Sequence, residues 1–218
     1  MTELNNTIAG IPIPARIKRL PISPTGYPVP WFVAWQDGVP DFRVIGPGKV
    51  ATAHNKKLCW VCGEPRGVHL CFPIGPMCSI NRTIAEPPSH YDCARFSVMA
   101  CPFLSKPRMR RNDKDLPGEA KLPAGEMIKR NPGVTCLWIT RSYRPFRVGN
   151  GVLFRIGEPE RVEWWAEGRL ASRAEVLASI DSGYPLLMDI AAKEGPDAIK
   201  ALGQYRERAM PLLPAEAA

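Results

Sequence analysis

Through most of the chain, apolar positions come in short runs broken by turn residues, and near residue 172 the spacing becomes helical. The stretch "PVPWFVAWQDGVPDFRVI" places two aromatic-containing runs around Asp37 and Gly38, which predicts a β-hairpin. Pro40 just beyond the turn marks an edge strand or a longer loop, and Trp31 and Trp35 read as core or hairpin-face aromatics. Farther on, "VTCLWITRSYRPFRV" and "GVLFRIG" flank Gly149, Asn150 and Gly151, a second hairpin signal, and "RVEWWAEG" adds a further strand.

From Ser172 the pattern is helical. Ser172 with Glu175 makes a capping box ahead of "VLASIDSG", where Gly183 reads as a helix stop. Two more helices follow, separated by Gly195 and Pro196, with Leu186, Leu187, Ile190, Ile199, Leu202 and Met210 as their buried stripe. The fold class is therefore α+β, with antiparallel hairpins and a C-terminal helical segment. The expected organisation is an extended proline-rich arm over 1–28, an α+β body over 29–157 and the helical segment over 158–218.

Composition sharpens this picture. The 24 prolines among 218 residues are about twice ordinary usage, and they cluster in the arm and around residues 102–123, where helix is disfavoured. No uncharged apolar run is long enough to cross a bilayer and the N-terminus lacks a signal-peptide pattern, so a cytoplasmic protein with no membrane partner is expected. The seven cysteines are an odd number, which argues against a disulfide framework in a reducing compartment and leaves metal ligation or burial.

The stretch "LCWVCGEPRG" carries Cys59 and Cys62 two residues apart, followed by a glycine that permits a tight turn. A redox CxxC needs its first cysteine at a helix N-terminus, and here a turn follows instead. A structural zinc site needs four converging ligands, and "AEPPSHYDCARFSVMACPF" supplies the second pair. Pro87 and Pro88 forbid helix, Ser89 is a good N-cap, and a helix over "HYDCARFSVMAC" puts His90 and Cys93 on one face of its first turn. Cys71 and Cys101 compete poorly, Cys101 lying about 12 Å farther along the helix; Cys78 is the one substitute for His90.

A cysteine knuckle on a hairpin, completed by the strand-like "GVHLCFPI" and followed by a ligand pair at a helix start, resembles the treble-clef zinc finger over residues 56–104. The resemblance implies zinc bound by Cys59, Cys62, His90 and Cys93. Some treble clefs are nucleases of the HNH type, and His69 on the second strand would be the general base. With His90 assigned to zinc, however, only His54 remains as another histidine. No phosphate-binding or nucleophile motif is present, so no catalytic residue is assigned. The combination "PVPWFVAWQDG", "LCWVCG", "IGPMC", "AEPPSHYDCA", "CPFLSKP" and "TRSYRPF" also resembles an uncharacterised group of bacterial and bacteriophage proteins. That resemblance implies a phage or prophage origin and brings no activity with it.

Charge points to a partner. The formal net charge is +8, and residues 106–147 hold eleven Lys or Arg against four Asp or Glu, whereas residues 151–218 hold eight against eleven. A basic middle suits nucleic acid. The candidates are Arg108, Arg110, Arg111, Arg141, Tyr143, Arg144 and Arg147, with Trp138 and Phe146 interleaved. Strand alternation places Arg141 and Arg147 with Tyr143, opposite Arg144. The alternative partner is a host protein, met by the hairpin loops and C-terminal helices.

Overall fold

The computed structural model describes residues 3–216 apart from 108, 111, 113, 115, 117–130 and 150. In chain order the elements are β1 (Val33–Gln36), β2 (Val39–Ile45), α1 (Lys49–Asn55), β3 (Leu70–Ile74), α2 (Pro76–Asn81), β4 (Thr83–Ile84), α3 (Tyr91–Ala100) and α4 (Pro102–Ser105). Then come β5 (Thr135–Thr140), β6 (Tyr143–Val148), β7 (Gly151–Ile156), β8 (Arg161–Ala166), β9 (Arg169–Leu170), α5 (Arg173–Glu194) and α6 (Pro196–Ala209). This is a mixed α+β architecture with antiparallel sheets, and among the described residues no helix is long and apolar enough to cross a membrane.

The centre is a sheet in the order β3-β5-β8-β9. All six residues of β5 are buried, because both faces of the sheet are covered and period-2 alternation sends side chains into two separate cores. On one face Phe72, Ile74, Cys136, Trp138 and Trp164 meet α2, α5 and α6. On the other, Cys71, Leu137, Ile139 and Trp165 meet Ala94 and Val98 of α3. A second sheet, β4-β7-β6, carries the Gly149 hairpin. The first hairpin, β1-β2, turns at Asp37 and Gly38, both at positive φ as a tight hairpin turn requires, with Pro40 opposite Trp35.

Some sequence expectations change. "LCFPI" does not complete a hairpin with the cysteine knuckle; as β3 it pairs with β5 along its whole length. Its residues need cover on both faces, which a short knuckle cannot supply. Gly183 does not stop a helix either, since α5 runs 22 residues through both Gly183 and Pro185. At Gly183 the helix lies so close to α2 that a Cβ would come within 3.0 Å of Met77 Sδ. Packing against α2 and α6 thus outweighs the local helix-breaking preference. The Ser172 capping box is formed, and Leu202 is buried, but Leu186 and Ile199 of the expected stripe face solvent. Residues 124–130, whose sequence reads as one short helix, fall outside the described residues.

The N-terminal arm folds back over the knuckle. Ile8 and Ile17, the latter in a single 3-10 turn (Ile17–Arg19), are buried in one cluster with Val61, Phe96, the knuckle cysteines Cys59 and Cys62, and Cys93 at the start of α3.

Candidate metal centre

The knuckle is built by backbone bonds between Cys59 and Glu64. The Cys59 N–H donates to the Glu64 carbonyl at 2.8 Å and the Gly63 N–H to the Cys59 carbonyl at 2.9 Å. Gly63 has φ +74, and any side chain there would collide with the Trp31 ring, so the turn demands glycine twice over. Trp60, between the two cysteines, points away and stacks on Phe32 with ring centroids 4.7 Å apart.

The second half is positioned by the central sheet. Ser89 and Cys71 exchange backbone bonds at 3.0 and 2.8 Å, and the Trp60 N–H donates to the Pro88 carbonyl at 3.1 Å. These bonds hold the chain extended up to His90, which takes the N-cap position one residue later than Ser89, and α3 begins at Tyr91. Cys93 lies in the first turn, beside the positive end of the helix dipole, which favours a thiolate.

Cys59, Cys62, His90 and Cys93 form a group that can hold a metal ion, their ligand atoms all within 4.8 Å of one another. His90 Nδ1 is 3.4 Å from Cys62 Sγ and 3.9 Å from Cys93 Sγ. Zn–S and Zn–N bonds of about 2.3 and 2.0 Å in a tetrahedron imply S···N edges of roughly 3.5 Å, so the group has the right size. His90 Nε2 lies 3.0 Å from the Pro65 carbonyl. A carbonyl only accepts, so Nε2 carries a proton, and Nδ1 is turned to the sulfurs, where it can give its lone pair to an ion once its own proton is displaced, which is how outer contacts orient a histidine ligand. The N–H groups of His90 and Cys62 donate to Cys59 Sγ at 3.3 and 3.5 Å.

Protons and a metal ion compete for these same atoms. Hydrogen bonding from the Cys62 and Cys93 side chains holds the Cys59 thiol far below its ordinary pKa. The bond to Cys59 pushes the Cys93 thiol up and raises His90 to about 10. A metal ion entering this group displaces those protons. Arg16 of the arm spans the two halves, its Nε 3.3 Å from Glu64 on the knuckle and its Nη1 3.2 Å from Asp92 on α3. Asp92 is the main cause of the rise in the Arg16 pKa.

The remaining cysteines lie elsewhere. Cys71 and Cys136 are buried in the sheet, Cys78 is on α2 and Cys101 follows α3. Burial pushes the Cys78 thiol up to about 11 and raises Cys71, Cys101 and Cys136 as well, the behaviour of small apolar residues. His69 is exposed and bonds Glu160 at 2.9 Å. His54 bonds the Tyr143 hydroxyl at 2.9 Å.

The basic segment is not gathered into one stripe. Arg108 and Arg111 fall outside the described residues, and Arg110 is exposed. Arg141 is paired with Glu160. Tyr143 is half-buried, its ring against Phe72, Phe154 and His54, and Arg66 Nη2 donates to its hydroxyl. Trp138 is fully buried, with its Nε1 bonded to the Gly157 carbonyl at 2.9 Å; it is a core residue and not a stacking platform. Arg144 and Arg147 project from opposite faces of β6. The structure instead joins Arg144 to Arg82, Arg155 and Arg208 around one open cleft of about 530 Å³. Sequence reasoning missed those three, and only the isolated arginine in "GVLFRIG" signalled one of them. Compared with known protein families, curated proteins and solved structures, the chain matches none.

Proposed function

We propose that Cys59, Cys62, His90 and Cys93 hold one structural zinc ion in a treble-clef-like finger, and that the stabilised module binds nucleic acid through the arginine-bearing face of β6 and β7. The observation that carries the zinc reading is the closed donor set. Three thiolates and one imidazole fill a tetrahedron, so the ion has no open position for a substrate or an activated water. Among the described residues this is also the only group of three or more metal-capable side chains, which leaves an HNH-like reaction at His69 without a catalytic metal site. Cobalt(II) exchange tests the assignment: a tetrahedral, thiolate-rich spectrum is expected, and an octahedral one would refute it.

The nucleic-acid reading is supported by Arg144 and Arg155, direct cross-strand partners on one face. Like charges placed opposite each other on a sheet are unfavourable unless an anion offsets them. Binding to single-stranded or duplex oligonucleotides should weaken steeply between 50 and 200 mM salt, by roughly tenfold or more for several phosphate contacts. Salt-insensitive binding would count against it. A second reading, a protein-binding factor, draws on the tip of the first hairpin, where Trp35, Val39 and Phe42 are exposed. Under that reading, Trp35→Ala should abolish capture of the partner and leave nucleic-acid affinity unaltered.

A further inference from the structure

We propose that the cleft lined by Arg82, Arg144, Arg155 and Arg208 is a pocket for a terminal phosphate monoester of a nucleotide or nucleic-acid strand. The inference rests on the nucleic-acid reading for its ligand class and adds the part of the ligand that is recognised.

Four arginines line this cleft from four separate elements: the end of α2, β6, β7 and the last turn of α6. Glu158 is the only acidic side chain in the lining, so the cleft carries a net charge of about +3, well matched to the −1.5 to −2 of a phosphate monoester. A diester inside a strand carries a single charge and needs a track of cations. Here Arg141 and Arg147, the flanking arginines of the same strand segment, do not line the cleft. The volume of about 530 Å³ lies within the range of small-molecule sites.

Two of the four cations are already oriented. The Arg82 guanidinium lies 5.5 Å over the Trp138 ring and is paired with Glu158, and that of Arg155 lies 5.6 Å over Phe146. Planar donors fixed in this way bind a phosphate fork to fork with less loss of side-chain freedom. Among the described residues no carboxylate pairs with Arg144, Arg155 or Arg208. Glu158, 80% exposed, occupies Arg82 in the free protein and is the group that a phosphate would replace.

The test uses the whole chain and single-stranded oligonucleotides of one sequence bearing a 5′-phosphate, a 3′-phosphate or neither, together with a nucleoside monophosphate. A phosphate-terminated strand should bind about tenfold or more tightly than its hydroxyl-terminated counterpart, and the monophosphate should compete. Arg144→Gln combined with Arg208→Gln, both solvent-exposed positions, should erase that preference, whereas Lys200→Gln, an exposed charge on α6 outside the cleft, should leave it intact. Equal, salt-dependent binding of all three strands would overturn the pocket and leave the nucleic-acid reading standing. Binding of the monophosphate alone, lost in the double variant, would keep the pocket and overturn the nucleic-acid reading. No binding of any probe would overturn both.

Discussion

The chain contains two groups of buried cysteines in contrasting surroundings. Cys71 and Cys136 sit in the central sheet among Phe72, Leu137 and Trp138, where burial raises their thiol pKa values and they serve as small apolar side chains. Cys59, Cys62 and Cys93 sit in a core of only eight buried residues, of which they are three. There the sulfurs face one another, His90 and backbone N–H groups. The sheet is held by apolar area on two faces, whereas the small core gathers four side chains able to hold a metal ion around one point. Residue type is the same in both, and the difference lies in what the local backbone aims the sulfur at.

The largest effect that would sharpen this contrast comes from Cys62→Ser. Binding energy at a structural zinc is folding energy, on the order of 10 kcal/mol in small fingers, so losing one ligand should cost roughly 5 kcal/mol or more locally. Hydrogen exchange should show the knuckle over 58–65 and the first turn of α3 losing protection while β3 and β5 amides, paired with each other, retain theirs. Equal loss in both regions would erase the distinction between them. Next, Trp138→Ala should cost about 3–5 kcal/mol in global stability, read as a lower urea midpoint, with the folded fraction still binding one metal ion.

A smaller effect isolates the knuckle backbone. Gly63→Ala imposes a left-handed conformation on a residue with a Cβ and drives it into Trp31, at a cost of about 2 kcal/mol. Chelator competition should show weakened metal retention, with the sheet core unchanged. Smallest is the α5 cap, which belongs to the apolar half alone. Ser172→Ala should cost about 1 kcal/mol with no change in metal affinity. The capping carboxylate adds a pH dependence. Bonds from Arg169 and Ser172 lower the Glu175 pKa from 4.5 to about 2. Its contribution is therefore complete above about pH 4.5 and lost as pH falls towards 2, a dependence that Glu175→Gln should remove.

Much of the Cys3His group was legible because its determinants are local. Two cysteines with a glycine behind them, and His90 and Cys93 at a helix start after two prolines, mark out from spacing the four side chains that the fold gathers into a group able to hold a metal ion. The Asp37 and Gly149 hairpins and the Ser172 cap were readable for the same reason. What spacing could not reveal was long-range. "LCFPI" looked like the knuckle's partner strand until β5, about 65 residues away, supplied its pairing. Gly183 and Pro185 looked like breakers until Met77 and α6 gave α5 a reason to continue. The basic run looked continuous, yet strand alternation and the burial of Trp138 divided it, and its cleft-forming residue, Arg144, found companions on three other elements.

The central claim is that four side chains from two distant segments are joined by one metal ion. Native mass spectrometry of the purified chain, compared with the same sample after acid denaturation, measures this directly. One zinc ion per folded chain, absent from the denatured form and lost in Cys62→Ser, is the predicted result. A folded, metal-free chain with β5 and α3 equally protected from exchange would contradict it.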